Sequence, residues 1–248
     1  MTAKDGKTIR VLITGDREEL EGHPAVLADG RTLEWVSLSV LRFERLPVDP
    51  ALVDALIAKP VDWIVFTSPR AARFWSEVIL ENQVDFPLET QVACIGEATA
   101  EAATQDGFNP DFYPTEPGTE GFLREFEDLL SNTSVKPRVV IPQAEGGRTA
   151  IARRLSELGC TVQVIPLYRT LPREDLAGKL SSELLASLGA ILFTSPSSVD
   201  AFRQCYDIPR QAKIVALGRF TGEHLKKMGL ERSTELPEGD VHRIGEVL

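Results

Sequence analysis

The sequence predicts an α/β fold made of two related domains, each built on a parallel β-sheet. Short apolar runs alternate with segments whose apolar residues follow helical spacing, which is the order of elements in α/β folds with right-handed crossovers. A six-residue phrase also occurs twice, as IVFTSP at Ile64–Pro69 and as ILFTSP at Ile191–Pro196. In a chain of 248 residues, a repeat this long indicates a duplicated domain rather than a short structural repeat.

The predicted strands are continuous apolar runs rather than alternating ones, as expected of parallel strands buried on both faces. In chain order they are Ile9–Thr14, Val61–Phe66, Gln91–Ile95, Arg138–Ile141, Thr161–Leu167, Ala190–Phe193 and Lys213–Leu217.

The predicted helices follow these strands. The clearest carries an apolar stripe at helical spacing, formed by Ala71, Phe74, Trp75, Val78 and Ile79. Val199, Phe202 and Tyr206 form a thinner stripe after the second copy of the phrase, and Arg173–Ser187 is also helix-like.

The repeat extends beyond the six-residue phrase. CIGEATAEAATQDGF follows the first copy and ALGRFTGEHLKKMGL follows the second, each with a glycine at a strand end and a threonine three residues later. A third match pairs TEPGTEGFLREF with TELPEGDVHRIGEVL, so that Thr115 aligns with Thr234. Strand-rich segments remain before the first copy and between the copies. The pattern alone allows simple tandem domains or a swapped arrangement in which residues 1–40 join the C-terminal half.

Composition predicts a cytoplasmic protein and leaves an anionic small molecule open as its ligand. The net charge is −10, which argues against nucleic acid or an anionic membrane as the main partner. The N-terminus has no signal-peptide core and no stretch is long enough to span a membrane. The three cysteines, Cys94, Cys160 and Cys205, are predicted to be small buried hydrophobes in a reducing compartment, with no metal site. The histidines His23, His224 and His242 are predicted to lie on the surface.

The Thr-Ser-Pro turns have both a structural and a functional interpretation. Serine is a preferred helix N-cap and proline suits the first helical turn, so Ser68 with Pro69 and Ser195 with Pro196 could simply start helices. However, ligands of open parallel sheets bind at the carboxyl ends of the strands, where helix N-termini present free N–H groups. Such ends suit a flexible ligand that carries several carboxylates.

Three further strand ends are candidates for the same site. Gly96–Thr99 and Gly218–Thr221 each place a glycine and a threonine at the start of a helix. The segment IPQAEGGR places Arg148 at a third helix start, where its side chain either is solvated or contacts an anion. Tyr168 follows a predicted strand and could pack its ring while its hydroxyl meets solvent or substrate. The sequence has neither a P-loop nor a GxGxxG motif, so nucleotide binding has little support.

Together the phrases FTSPRAARFW, IGEATAEAA, EGGR, PLYRT, FTSPSSVDAF and LGRFTGEHLKKMGL resemble the uroporphyrinogen-III synthase family, in the order that this family shows. The resemblance implies two flavodoxin-like, doubly wound domains joined by a two-stranded β linker. One domain would be discontinuous, formed by residues 1–40 and 173–248, and the other would be the insert 41–172. SVLRFERL and LYRTLP would be the linker strands.

The resemblance also implies the reaction, a dehydrating cyclisation of hydroxymethylbilane in which the terminal pyrrole ring is inverted, without metal or organic cofactor. The implied enzyme is a monomeric lyase of haem, sirohaem and cobalamin synthesis. Its partner is a linear tetrapyrrole octacarboxylate, and transient contact with the preceding enzyme of the pathway stays open. Tyr168 would assist departure of the hydroxyl. The implied substrate-binding residues are Thr67, Ser68, Pro69, Gly96, Thr99, Arg148, Ser195, Pro196, Ser197, Gly218 and Thr221. Gln143 stands where many members have arginine, which leaves Arg148 as the better cation.

Two rival functions are compatible with the same pattern. A two-lobed α/β protein could bind a polycarboxylate without catalysis, or it could carry flavin mononucleotide. The flavin carrier is disfavoured because the strand ends lack an aromatic residue beside a hydroxyl-rich phosphate loop.

Overall fold

The computed structural model describes residues 8–15, 25–84, 89–116, 118–131, 136–236 and 241–248. The strands are β1 Ile9–Ile13, β2 Leu33–Ser37, β3 Leu41–Arg45, β4 Trp63–Phe66, β5 Gln91–Cys94, β6 Arg138–Ala144, β7 Thr161–Pro172, β8 Ala190–Phe193, β9 Lys213–Ala216 and β10 Ser233–Glu235. The helices are α1 Pro50–Ala58, α2 Pro69–Asn82, α3 Glu97–Gln105, α4 Thr119–Ser131, α5 Ala150–Glu157, α6 Ser182–Ser187, α7 Pro196–Cys205 and α8 Arg219–Lys227. A 3₁₀ helix, Val241–Glu246, lies near the C-terminus.

The chain divides into two compact units. Unit 1 comprises Met1–Arg42 and Leu171–Leu248, and unit 2 comprises Phe43–Thr170. The division falls within β3 and β7, which lie next to each other in one sheet. The two strands run in opposite directions, because Leu46 N–H donates to the Leu167 carbonyl while Arg173 N–H donates to the Val40 carbonyl. These two strands are therefore antiparallel neighbours.

Each unit contains a five-stranded sheet. The order is β10-β9-β8-β1-β2 in unit 1 and β3-β7-β6-β4-β5 in unit 2. The strand pairs of unit 1 are parallel, and so are the β4–β5, β4–β6 and β6–β7 pairs of unit 2. The predicted α/β class with two parallel-sheet domains is confirmed.

Four strands of each sheet lie in the same spatial order, β9-β8-β1-β2 in unit 1 and β5-β4-β6-β7 in unit 2, but they follow a different order along the chain. The Thr-Ser-Pro strands β4 and β8 occupy equivalent places, with β5 matching β9 on one side and β6 matching β1 on the other. In unit 2, β6 follows β5 along the chain, whereas in unit 1 its counterpart β1 comes first. The repeated phrases are therefore equivalent elements within two differently ordered segments.

The strands are buried on both faces, as their continuous apolar runs predict. In unit 1, Leu12 and Ile191 pack into one cluster while Val11 and Ala190 pack into a second. In unit 2, Ile64 packs into one apolar cluster and its neighbour Val65 packs into a second one. Each sheet thus lies between two apolar layers, since neighbouring side chains of a strand point to opposite faces.

Several sequence expectations need correction. The helix-like segment Arg173–Ser187 is helical only from Ser182, because Gly178 adopts a positive φ of 81° and the preceding residues form turns. Cys205 is exposed rather than buried, since it is the last residue of α7. Cys94 and Cys160 are buried as predicted.

The third sequence match, which aligned Thr115 with Thr234, does not agree with the pairing of the strands. Phe112 lies beside Ala93, in the place that Thr234 takes beside Val215. Thr115 is therefore not the structural counterpart of Thr234. Two strands, β2 and β10, lie outside the predicted runs. β10 is short and polar, and β2 has a single fully buried residue, so neither presents a continuous apolar run.

Candidate functional site

A pocket of about 250 Å³ opens at the carboxyl ends of the central strands of unit 2. Thr67 and Ser68 follow β4, Ile95 follows β5, and Gln143 and Ala144 end β6. The lining is completed by residues of β7 and of three helix starts, namely Thr119, Gly147, Arg148, Ala150, Ile151 and Tyr168.

The position of this pocket follows from the strand order. From β4 the chain runs outward to β5 and then returns to the other side of β4 as β6. The helices that follow β4 and β6 therefore leave on different sides, and a crevice forms between the two strand ends. Ligands of open α/β sheets bind at this switch point. The pocket lies where Thr67 follows β4 and where Gln143 is the second-last residue of β6.

Three helix N-termini border the pocket, those of α2, α4 and α5. The first N–H groups of a helix have no partner within the helix, and the helix dipole adds partial positive charge there. Arg148, an exposed residue just before α5, adds a full positive charge. The pocket therefore favours anionic groups such as carboxylates.

Ser68 starts α2 as its N-cap. Its hydroxyl oxygen accepts a hydrogen bond from Ala71 N–H at 3.2 Å, and Pro69 occupies the first helical turn. The same hydroxyl oxygen lies 3.3 Å from the hydroxyl oxygen of Tyr168. The structural interpretation of Thr-Ser-Pro is thus correct, and Ser68 also lines the pocket.

Tyr168 is almost fully buried, with 5% of its surface exposed. Its ring packs against Phe74, with ring centres 5.1 Å apart, and against Phe43 at 6.1 Å. The Arg70 guanidinium lies over the Phe43 ring. The ring of Tyr168 is therefore held firmly, and its hydroxyl contacts Ser68 at the pocket rather than open solvent.

A bulge between β6 and β7 sets the direction of Tyr168. Gln143 pairs with Pro166, but the next residue, Ala144, pairs with Tyr168, so Leu167 is an extra residue on β7. The Tyr168 carbonyl accepts a hydrogen bond from Glu145 N–H at 2.7 Å. Bulges commonly re-aim a side chain beside a functional site. Leu167 and Tyr168 are consequently buried in succession.

The two glycines of EGGR serve different purposes. Gly146 has a positive φ of 68°, which the turn after β6 requires. Gly147 has no room for a side chain, because a Cβ there would lie 2.9 Å from the Ala144 carbonyl oxygen and 3.0 Å from the Gln143 side-chain amide carbon. This close approach brings the start of α5 against Gln143.

Gln143 is a buried polar residue of the pocket lining, with 6% of its surface exposed. A buried amide generally has a hydrogen-bond partner. Its place at the strand end makes it a group that can donate to, or accept from, a ligand in the pocket.

The corresponding strand ends of unit 1 are joined by hydroxyl hydrogen bonds. Thr14, which follows β1, donates to Ser198 Oγ at 2.9 Å, and the Thr194 hydroxyl donates to the Thr14 carbonyl at 3.1 Å. Ser195 accepts from Ser198 N–H at 3.2 Å in a capping box at the start of α7, where Pro196 is the first helical residue. Ser197 is exposed, and its hydroxyl lies 3.3 Å from that of Ser195.

Thr99 and Thr221 are buried, each with 4% of its surface exposed. They lie in the first turns of α3 and α8, whose N-caps are Gly96 and Gly218. Neither threonine borders the pocket of unit 2. Their burial favours a packing role over direct contact with a ligand, and their assignment to substrate remains a prediction.

Cys94, which directly precedes the pocket-lining Ile95, is unsuited to nucleophilic chemistry. Cys94 ends β5, and burial raises the pKa of its thiol to about 12. A buried neutral thiol is inert. In the described part of the chain, no group of three or more His, Cys, Asp or Glu side chains could hold a metal ion. Of the histidines, His242 is exposed, His224 contacts Asp200 at 2.8 Å on the surface, and His23 lies outside the described residues.

Residues 25–241 match the family model of uroporphyrinogen-III synthase HemD. This match covers most of the chain. The chain belongs to the uroporphyrinogen-III synthase family. This family consists of cyclising lyases of porphyrin and tetrapyrrole biosynthesis that act on a tetrapyrrole substrate.

Relatives named as synthases agree with this assignment. A provisionally named uroporphyrinogen-III synthase of Methanothermobacter thermautotrophicus is 27% identical over 185 residues, which cover 70% of this chain and 72% of that protein. The chloroplastic synthase of Oryza sativa is 37% identical over 83 residues, or 34% of this chain and 26% of that protein.

Solved synthase structures share the fold. The enzyme of Helicobacter pylori superposes with a TM-score of 0.60 at 17% identity, over 96% of this chain and 97% of the other. A mutant of the Thermus thermophilus synthase superposes with a TM-score of 0.58 at 20% identity, over 96% of this chain and 98% of the other. No helix within the described ranges is both long and apolar enough to cross a membrane.

Sequence reasoning missed one residue that lines this pocket and two that hold Tyr168 in place beside it. Thr119 starts α4 and lines the pocket, but the expected third repeat drew attention to Thr115 instead. Phe43 and Phe74 hold Tyr168 from elements far apart in the chain. Of these two, only Phe74 could be recognised in the sequence, because it belongs to the apolar stripe of α2. That stripe predicts that Phe74 is packed against other residues but does not show that Tyr168 is one of them.

Proposed function

We propose that this member of the family is a uroporphyrinogen-III synthase that converts hydroxymethylbilane to uroporphyrinogen III. The hydroxyl of the bilane would leave as water to give an electrophilic azafulvene on the first ring. The substituted carbon of the last ring would attack it to form a spiro intermediate, which breaks down and closes again with that ring inverted. We propose that no metal or organic cofactor takes part.

The observation that carries this proposal is the place of Tyr168 in the pocket at the strand ends of unit 2. Its hydroxyl lies among helix N-termini and hydroxyl groups, where anionic side chains of a bilane would bind. A phenol held there can donate a hydrogen bond to a departing hydroxyl. We therefore propose Tyr168 as the catalytic residue.

Substrate binding is proposed to depend on several weak contacts. In unit 2 the groups are Thr67, Gln143 and Arg148, together with the N–H groups that begin α2, α4 and α5. In unit 1 we propose the exposed turn of Ser195 and Ser197 for acetate and propionate groups. Each net hydrogen bond to a charged acceptor is expected to contribute about 1.5–3 kcal/mol.

The main task of the enzyme would be to hold the bilane in the shape that permits attack by the substituted carbon. Without an enzyme the bilane closes without ring inversion, so catalysis must favour the harder geometry. Holding reacting atoms in place can lower a barrier by about 7–11 kcal/mol. Such catalysis fits a site with many binding groups and a single proposed catalytic side chain.

The direct test is an isomer assay. The purified chain is mixed with hydroxymethylbilane freshly generated by the preceding enzyme, and the products are oxidised and separated by chromatography. We expect the type III isomer to dominate with the chain present and the type I isomer without it. If the chain binds the bilane but only the type I isomer forms, the protein is a binding module and the proposal is wrong.

A further inference from the structure

We infer that Ser68 is a positioning residue that directs the Tyr168 proton toward the substrate. This inference rests on the proposed function and deepens it. It differs from the expectation that Ser68 simply binds a carboxylate. It is drawn from the hydrogen-bond chain that joins the start of α2, Ser68 and Tyr168.

The contacts of Ser68 leave its own proton available to donate to Tyr168. Its oxygen accepts the Ala71 N–H bond at 3.2 Å, which occupies one of its lone pairs. Its own proton then has the Tyr168 hydroxyl oxygen, 3.3 Å away, as acceptor. When Ser68 donates to Tyr168, the Tyr168 proton must point away from Ser68. Because both residues line the pocket, that proton can point into the pocket.

The burial of Tyr168 strengthens this conclusion. Phe43 and Phe74 hold its ring, so the hydroxyl can turn its proton but cannot move far. The choice lies between donation back to Ser68 and donation into the pocket. The N–H bond from the helix start polarises the Ser68 hydroxyl and makes it a better donor, since hydrogen bonds in a chain strengthen one another.

This direction suits the first chemical step. The carbon–oxygen bond of the bilane hydroxymethyl group breaks and its electron pair leaves with oxygen, which takes the Tyr168 proton and departs as water. The pyrrole nitrogen supplies electrons to the methylene carbon, and loss of the pyrrole N–H proton then restores the phenol. Ser68 would stabilise the phenolate oxygen during this exchange. The 3.3 Å contact is long for two hydroxyls, and catalytic contacts often tighten when substrate binds.

The equivalent helix start in unit 1 shows that an N-cap serine does not need to contact a tyrosine. Ser195 starts α7 with the same bond, accepting from Ser198 N–H at 3.2 Å. Its hydroxyl contacts Ser197 rather than a tyrosine. The Ser68–Tyr168 contact is therefore a feature of one copy of the repeated phrase and not a consequence of helix capping.

The test is a double-mutant cycle measured on the full chain at saturating hydroxymethylbilane. We expect Ser68→Ala to lower kcat about 3- to 10-fold, the effect of one net hydrogen bond, with a smaller change in KM. In a Tyr168→Phe background the same change should lower kcat less than about 2-fold, because residues in one chain are not additive. Ser68→Thr, which keeps the hydroxyl, should restore most of the rate.

A further variant separates capping from proton direction. Ser68→Asp keeps a strong helix N-cap but has no proton to donate, and its carboxylate would draw the Tyr168 proton toward itself. We expect kcat to fall at least as far as in Tyr168→Phe while the protein stays folded. Ser181→Ala removes a matched cap, that of α6, and should leave kcat unchanged.

Two results would overturn the inference. Equal losses of kcat from Ser68→Ala in both backgrounds would show that Ser68 acts independently of Tyr168. A Ser68→Asp protein with near-wild-type kcat would show that the proton direction does not matter. Both results would leave the synthase proposal intact, provided that the wild-type chain yields the type III isomer. A wild-type chain that yields only type I would defeat both.

Discussion

Tyr168 is held by its ring, so its hydroxyl is the part that can act. We expect Tyr168→Phe to lower kcat about 10- to 100-fold, within the range of a lost proton donor, and by more than the alanine substitution of any single Ser or Thr in the pocket. The ring contacts with Phe43 and Phe74 should survive. The measurement is the initial rate of uroporphyrinogen III formation.

Tyr206 provides the matched control for that variant. Its buried hydroxyl donates to the Leu176 carbonyl and accepts from Leu180 N–H, so it stabilises unit 1. Tyr206→Phe should lower the free energy of unfolding without lowering kcat. If both tyrosine variants keep near-wild-type rates, Tyr168 has no catalytic role.

Gln143 is expected to meet the substrate through its amide. Gln143→Glu would place a negative charge beside a pocket proposed to bind carboxylates, so we expect KM for hydroxymethylbilane to rise at least about tenfold, the effect of about 1.4 kcal/mol. The same change at Gln91, an exposed residue at the amino end of β5, is the control. An unchanged KM in Gln143→Glu would remove Gln143 from the binding site.

The contacts of single residues were only partly predictable. Ser68 and Tyr168 were both candidates because each follows a strand, yet they are 100 residues apart in the chain, and nothing local indicates that their hydroxyls meet. The family motif that Thr99 matches predicts that it contacts the ligand. Its neighbours Ala100 and Ala103 are buried on the same helix, and this apolar face draws Thr99 inward.

The turn between β6 and α5 depends on Gly147. A Cβ there would lie 2.9 Å from a backbone oxygen, so Gly147→Ala should lower the free energy of unfolding by about 1–3 kcal/mol, as overpacking does. Gly218 also lies between a strand and a helix but has open space around it. Gly218→Ala should change that free energy by less than about 0.5 kcal/mol. Urea denaturation of the two variants provides the comparison, and equal stabilities would contradict the predicted clash.

Helices α4 and α5, which both begin at the pocket, are joined by an ion pair. Arg154 donates to the two carboxylate oxygens of Glu127 at 2.7 and 2.8 Å, and this hydrogen bonding lowers the pKa of Glu127 below its usual 4.5. A carboxylate with a lowered pKa stabilises the folded state above its unfolded pKa, and that contribution disappears as the pH falls through the folded value.

We therefore expect Glu127→Gln to be less stable than wild type at pH 7 and to approach it near pH 3. Urea midpoints at the two pH values measure the difference. Glu120→Gln, at an exposed glutamate in the first turn of the same helix, is the control and should show no such convergence. A difference between Glu127→Gln and wild type that persists at pH 3 would mean that the ion pair is not its source.

The boundaries of the strands show which of them can be predicted from the local sequence pattern alone. Each apolar run became a strand because both of its faces are buried, and the central strand Ala190–Phe193 has the predicted limits. β7 extends to Pro172, beyond the Leu167 at which the apolar run ends, because its far end, which the family resemblance identifies as a linker strand, pairs with β3. That pairing supplies order to a segment whose own residues do not form a continuous apolar run.

The division into two units leads to a prediction about folding. Residues 41–172 include all of β3 and β7 and enclose two apolar clusters. We expect this fragment to fold by itself and to unfold cooperatively in urea, since both faces of its sheet are covered within the fragment. Circular dichroism during urea denaturation is the measurement.

The matched fragment is 41–160, which lacks β7. Because β7 lies between β3 and β6, its loss should leave β3 without a partner and one side of the core open. We expect this shorter fragment to be unfolded. A fragment 41–172 that is itself unfolded would contradict the proposed domain boundaries.

The sequence by itself determined the α/β class, the parallel strands, the duplication and the helix starts at Thr-Ser-Pro. These features depend on which residues are apolar and on a few neighbours along the chain, so they can be inferred locally. The tertiary structure decided which strand ends adjoin. Strand order brings Thr67, Gln143 and Tyr168 to one pocket, and a bulge turns Tyr168 toward Ser68. Contacts between residues far apart in the chain are set by packing and register, which no local segment contains.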